Sequence, residues 1–206
     1  MMKNLTFYTN PLSRGRVVRW ALEECGANYE TVLLDFSTIK NPSYLAVNPM
    51  GKIPSLKHGD TVITEAAAIC MYLADIFPEK SLSPSINSIY RGEYYRWLFF
   101  TAATFEAAVM EKYTQVSLKD EYRKALGYGD LDTVLNTLRN HLSDRKYICA
   151  EQFSIADIVL TKLLEHGIYR AKVIEPEPVF QHYLDTMQQR PAYQKAKYLD
   201  DLLVEN

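Results

Sequence analysis

Hydrophobic and polar positions change rhythm about a third of the way along the chain. Up to about residue 77, strand-like and helix-like stretches trade places; beyond residue 88 only helical spacing remains. Residues 3–8 (KNLTFY) predict a short strand, broken by Asn10-Pro11. Ser13 then starts a helix, on which Val18, Ala21, Leu22 and Cys25 recur at i, i+3, i+4, i+7. Gly26 is well placed to end it. Residues 29–34 (YETVLL) predict a second strand, and two strands joined by one helix imply a parallel βαβ unit. Residues 41–51 are rich in turn signals and hold at most a short helix. Residues 53–58 and 61–64 flank Gly59-Asp60, a tight-hairpin signature. From Glu65 to Phe77 the chain is strongly helical. The order β-α-β, loop, β-β-α predicts a mixed four-stranded sheet with helices packed on it.

Residues 78–88 (PEKSLSPSINS) lack apolar periodicity and carry two prolines and four serines, the composition of a linker. Helical patterns follow at 89–115, rich in aromatics, and at 119–142, with a bend or split expected at Gly127 and Gly129. Further helices are expected at about 154–169 and 177–189, with a short one after Pro191. The expected organisation is an α/β domain over 1–78, a linker at 79–88 and an all-helical domain over 89–206. The best-specified local feature is the start of the 154–169 helix. Ser154 and Asp157 have capping-box spacing, and Phe153 and Ile158 are spaced for a hydrophobic staple. These residues read as a folding element.

Composition narrows the function classes. The formal net charge is -2, and no stripe of Lys and Arg predicts nucleic-acid binding. The first residues do not read as a signal peptide, because Asn4, Asn10 and Pro11 interrupt a short apolar stretch. No segment reaches the roughly 18 apolar residues of a membrane span, so a cytoplasmic protein is expected. Cys25, Cys70 and Cys149 are widely separated and are expected to be reduced, the first two on apolar helix faces. His58, His141, His166 and His182 have no ligand spacing, so no metal site is predicted.

Four short patterns stand in order: YTNPLSRGR at 8–16, NPMGKIPSL at 48–56, ITEAAAICMYLAD at 63–75 and FSIADIV at 153–159. Together they resemble the cytosolic glutathione transferase family, across nearly the whole chain. The resemblance implies a thioredoxin-like N-terminal domain, an all-α C-terminal domain, a homodimer, and glutathione as co-substrate with a small hydrophobic electrophile. It implies a cis bond before Pro54, turning the main chain of Ile53 outward to pair with glutathione like an added strand. At the start of the helix after TVIT, Glu65 would meet the γ-glutamyl ammonium and the Ala66 N–H its carboxylate. The family more often has Glu-Ser or Gln-Ser there. Ala66 lacks the hydroxyl, and with it one hydrogen bond worth about 0.5–1.5 kcal/mol. Lys40 and Lys52 are candidates for the glycine carboxylate.

The chemistry needs a thiolate. A free thiol with a pKa near 8.5 is roughly 3% ionised at pH 7, and bringing it to about 6.5 requires about 2.7 kcal/mol. Ser13 follows the first strand and opens the first helix. Its hydroxyl can donate to sulfur, with Arg14 and Arg16 adding positive field. The alternatives are that Ser13 only caps the helix, or that Tyr8 supplies a phenol donor from the strand end. The resemblance places the electrophile between the two halves, with Phe105 and Glu106 as wall residues. A thiol-disulfide oxidoreductase would need a cysteine where Ser13 stands, and the serine-rich isomerase class would need a Ser-Ser-Cys turn that is absent from the sequence. A transferase-like protein without catalysis is the remaining alternative.

Overall fold

The computed structural model describes residues 4–116 and 118–205. Lys3, expected at the start of the first strand, lies outside the described residues. The chain divides into two compact units. One comprises residues 1–81 together with 190–206, and the other residues 82–189.

The first unit runs β1 (Leu5–Thr9), α1 (Gly15–Cys25), β2 (Tyr29–Leu33), α2 (Pro42–Leu45), β3 (Ser55–His58), β4 (Thr61–Thr64) and α3 (Ala66–Ile76). The sheet order is β2-β1-β3-β4. β1 is parallel to β2 and antiparallel to β3, and β3 is antiparallel to β4. Leu5, Phe7 and Thr9 alternate into the interior along β1, as a strand's period of two requires. Val17, Val18, Ala21 and Leu22 of α1 and Ile69 and Leu73 of α3 are buried with them in the core of this unit. The β3–β4 hairpin closes over Gly59-Asp60, and Gly59 takes the left-handed φ of 58° that a two-residue turn favours.

The last helix, α10 (Pro191–Glu205), differs from its sequence expectation in two ways. It is 15 residues long rather than short, and it belongs with the first unit rather than with the helical domain. The reason is its side chains. Asp200 accepts from Arg19 at 2.6 Å in a buried pair, Lys195 meets Glu23 at 2.7 Å and Tyr193 packs edge-on against Trp20. Arg190, just before α10, grips both carboxylate oxygens of Glu24. A sequence-order boundary cannot reveal a helix that returns to α1.

The second unit holds α4 (Tyr90–Phe99), α5 (Glu106–Thr114), α6 (Asp120–Arg123), α7 (Leu131–Leu142), α8 (Ile155–Glu165) and α9 (Pro178–Gln188). The expected 89–115 helix is interrupted by a π-helical turn at Phe100–Phe105, where the Thr101 hydroxyl donates to the Trp97 carbonyl at 2.7 Å and competes for it. The 119–142 pattern splits as its glycines suggest. α7 restarts after Gly129, capped by Asp130, which accepts the Thr133 N–H at 2.7 Å. α8 opens on the Ser154–Asp157 capping box, with Phe153 and Ile158 both buried. A second π-helical turn, His166–Arg170, follows α8.

Candidate functional site

The sheet register brings three of the predicted segments to one end of the first unit. Tyr8 is opposite Ser55, and Ser55 is opposite Thr64. The turn bearing Ser13 leaves β1 at that end, Ile53-Pro54 enters β3 there, and Glu65 leaves β4 there. Segments as far apart as residues 13, 53 and 65 therefore converge because strand direction alternates.

Residues 10–16 form a dense hydrogen-bonded turn. The Asn10 side chain accepts the Leu12 N–H at 2.9 Å and donates to the Leu34 carbonyl at 2.8 Å, tying the turn to the chain beyond β2. The Ser13 hydroxyl donates to the Asn10 carbonyl at 2.7 Å and accepts the Gly15 N–H at 2.9 Å. Ser13 thus caps the helix start, although α1 itself begins at Gly15 with Arg14 as the boundary residue. Its one hydroxyl proton rests on Asn10, and turning about the Cβ–Oγ bond would release it for another acceptor while the oxygen stays on the Gly15 N–H. Gly15 lets the helix come this close. A Cβ there would lie 2.0 Å from the buried Thr9 Oγ1 and 3.0 Å from Ser13 Oγ. Gly15→Ala is therefore expected to cost about 1–3 kcal/mol of stability and to shift the Ser13 turn; thermal unfolding and glutathione titration of that variant check it.

Ile53-Pro54 is a cis peptide bond. Among the described residues, neither the N–H nor the C=O of Ile53 has a hydrogen-bond partner. The residue beside it is held firmly. The Lys52 carbonyl accepts from the Tyr44 hydroxyl at 2.6 Å and from Asn48 Nδ2 at 2.8 Å. Because the Tyr44 proton is committed to Lys52, Ser55 Oγ donates to Tyr44 across their 2.9 Å contact. Burial pushes the Tyr44 phenol above its ordinary range, so it remains a donor. Tyr44, Asn48 and Ser55 were not singled out from the sequence. The NPMG turn before KIP was the available signal, since an Asn there can reach forward to neighbouring backbone.

The two candidate lysines differ. Lys40 Nζ donates to the Met50 carbonyl at 2.8 Å, and its stem crosses Gly51, where a Cβ would sit 2.7 Å from the Ile39 carbonyl. Lys52 is exposed. Glu65 takes a φ of 66°, a left-handed value that strains a non-glycine residue. It precedes α3, whose first residue is Ala66, so the N–H groups of that helix start at the same sheet end as Ile53. Tyr8 is half-buried in the sheet, its ring 5.9 Å from that of Tyr44.

The electrophile-wall candidates fare differently. Phe105 has no exposed surface and sits in the π-helical turn, so its ring serves the core rather than a cavity wall; this corrects the expectation. Glu106 is half-buried at the start of α5. A cavity of about 820 Å³ in the helical unit is lined by residues that include Glu111, Arg123, Leu135, Arg139 and Glu177, but by neither candidate. Aromatic density along 89–115 could not separate wall from core, because the π turn rotates the helix face.

Cys25, Cys70 and Cys149 are buried and in no disulfide among the described residues. Burial pushes the Cys149 thiol up to about 12 and Cys70 above that range, so neither is a nucleophile at neutral pH. Among the described residues no three His, Cys, Asp or Glu side chains gather as a metal-holding group. No helix among them is long and apolar enough to cross a membrane.

Comparison with known proteins gives concordant matches. Residues 3–75 match the family model "Glutathione S-transferase, N-terminal domain" and residues 98–191 match "Glutathione S-transferase, C-terminal domain". Glutathione S-transferase GstA of Escherichia coli O157:H7 is 31% identical over 180 residues, covering 85% of this chain and 88% of that protein. A ternary complex of BphK, a bacterial GST, superposes with a TM-score of 0.80 at 30% identity, covering 95% of this chain and 99% of that one. A sphingomonad glutathione S-transferase complexed with glutathione superposes with a TM-score of 0.79 at 28% identity, covering 96% and 99%.

Proposed function

Because the chain belongs to the glutathione S-transferase family, we propose that it binds glutathione, holds it as the thiolate and conjugates it to small hydrophobic electrophiles. The observation that carries this reading is the convergence, at one sheet end, of a hydroxyl at a helix start, an unpaired main chain beside a cis proline, and a second helix start behind Glu65. The set fits a tripeptide. Ile53 offers one donor and one acceptor to an extended backbone. The α3 start offers N–H groups to a carboxylate, and Glu65 offers an anion to an ammonium. Lys40 and Lys52 lie along the 40–52 segment, within the same unit, as cations for the second carboxylate.

In the mechanism, the Ser13 hydroxyl turns from the Asn10 carbonyl to the glutathione sulfur. Its oxygen keeps the Gly15 N–H, which polarises the O–H and strengthens the donation. The field of the α1 N-terminus acts in the same direction. The thiol proton is lost to solvent. The thiolate then attacks the electrophilic carbon; with an aryl halide a C–S bond forms and the halide departs with the C–X electron pair. We propose that the enzyme acts as a cytoplasmic homodimer.

One observation favours a second reading, a glutathione-binding protein without turnover: Ala66 removes a hydroxyl from the γ-glutamyl end. Calorimetric titration with glutathione and a conjugation assay with an aryl halide separate the two. The proposed function expects saturable binding and turnover. Binding without turnover establishes the second reading, and absence of both removes each of them.

A further inference from the structure

The peptide group between Pro11 and Leu12, one residue before Ser13, is clamped at both ends. Its N–H is held from the strand side by Asn10 Oδ1 at 2.9 Å. Its carbonyl is held from the helix side by Arg16 Nε at 2.5 Å. A planar peptide fixed at both groups has little freedom left, so Leu12 leaves it in a defined direction and Ser13 follows one residue on. Arg16 is itself directed. Its Nη2 donates to Asp201 Oδ1 at 2.8 Å, and Lys197 Nζ meets the other oxygen of Asp201 at 2.6 Å. Burial raises the Asp201 carboxyl, but hydrogen bonds from Lys197 and Arg16 more than offset it, so Asp201 stays ionised at neutral pH.

We propose that Asp201 of α10 is a positioning residue for the turn bearing Ser13: it aims the Arg16 guanidinium, whose Nε holds the Pro11 carbonyl. The inference deepens the transferase reading and rests on Ser13 being the donor to sulfur. Arg16 is long and rotamer-rich, and without a partner at Nη2 its fork loses the direction that keeps Nε on Pro11. The neighbouring buried pair, Arg19–Asp200 at 2.6 Å, docks α10 on α1 independently. Loss of Asp201 therefore leaves the helix in place while freeing the turn. Asp201 is partly exposed, 37% by side chain, so its pair with Arg16 contributes little to overall stability.

The test compares wild type, Asp201→Ala, Asp201→Glu and Ser13→Ala in one titration of enzyme-bound glutathione, reading thiolate by its ultraviolet absorbance, alongside kcat, KM and thermal unfolding. In Asp201→Ala the apparent pKa of the bound thiol should rise by about half to one unit and kcat should fall about three- to tenfold at slightly acidic pH, recovering as pH rises. KM for glutathione and Tm should barely move, and Asp201→Glu should restore most of the loss. An unmoved thiol pKa in Asp201→Ala, with or without a fall in Tm, overturns the inference and leaves Asp201 a docking residue. If Ser13→Ala also leaves the thiol pKa unmoved, the Ser13 reading itself has failed, and the inference falls with it.

Discussion

Replacing Ser13 with alanine should lower kcat/KM for conjugation by about 10- to 100-fold near pH 6.5, with the loss shrinking at alkaline pH. The size follows from the interaction removed. A hydrogen bond to a charged group contributes about 1.5–3 kcal/mol, which spans most of the roughly 2.7 kcal/mol needed to make glutathione a thiolate at neutral pH. The pH dependence follows from the same cause. Once the solution ionises the thiol, the enzyme's donor is no longer limiting. Glutathione affinity should change little, because in the proposed site Ile53 and the α3 start would hold the tripeptide elsewhere. A second, smaller effect should accompany it. Ser13 Oγ accepts the Gly15 N–H at 2.9 Å, so alanine also removes a helix-start partner, costing about 0.5–2 kcal/mol of stability. The decisive reading is the thiolate absorbance of bound glutathione against pH for wild type, Ser13→Ala and Tyr8→Phe. If Ser13→Ala keeps the depressed thiol pKa and Tyr8→Phe loses it, the donor is the phenol.

At Ser13 the cap and the proposed donor role need not compete. The sequence offered the two roles as alternatives. In the folded turn the oxygen accepts from Gly15 while the proton sits on Asn10, so the lone pair serves the helix and the proton remains transferable. The same division of labour recurs at Lys52. Its side chain is exposed, while its carbonyl anchors the turn to Tyr44 and Asn48 and leaves Ile53 unpaired.

Local signals were legible because they are local. Gly26 ends α1 with φ 58° and accepts its role through contacts a few residues away, as do the Gly59-Asp60 hairpin and the Ser154 cap. The sheet order was readable as mixed, since strand and helix lengths restrict the connections. What could not be read depends on partners distant in sequence. Arg19 finds Asp200 across 181 positions, and nothing in either residue's neighbourhood announces it. The wall position expected for Phe105 came from the resemblance, whereas the ring is fully buried in the π-helical turn at Phe100–Phe105, and that burial depends on packing partners no local pattern states. Tyr44 was one of many tyrosines, and only the fold puts its hydroxyl on the Lys52 carbonyl, next to Ile53.

Outside the site, Asp157→Asn should have the largest effect on stability, and its pH dependence gives the cause away. Asp157 is fully buried at the start of α8. Its Oδ1 accepts the Ile148 N–H at 2.8 Å and the Tyr183 hydroxyl at 2.9 Å, and its Oδ2 accepts the N–H and hydroxyl of Ser154 at 2.9 and 3.1 Å. Asparagine keeps one acceptor oxygen and points an amide donor at two donors, so at pH 7 it should cost about 2–4 kcal/mol. Burial, the dominant effect, pushes the Asp157 carboxyl up to about 6 against the pull of these four hydrogen bonds. The folded protein therefore binds this proton more tightly than the unfolded chain, whose carboxyl titrates near 3.9. The stabilisation from protonation is complete below about pH 4 and is lost as pH rises through about 6. Between pH 7 and 5, wild type should gain about 1–1.5 kcal/mol relative to Asp157→Asn, with other groups cancelling in the comparison. Calorimetric unfolding of both proteins across that window measures it. Parallel stability curves would mean that the carboxyl titrates at its ordinary value, and that the four donors, rather than burial, set its charge.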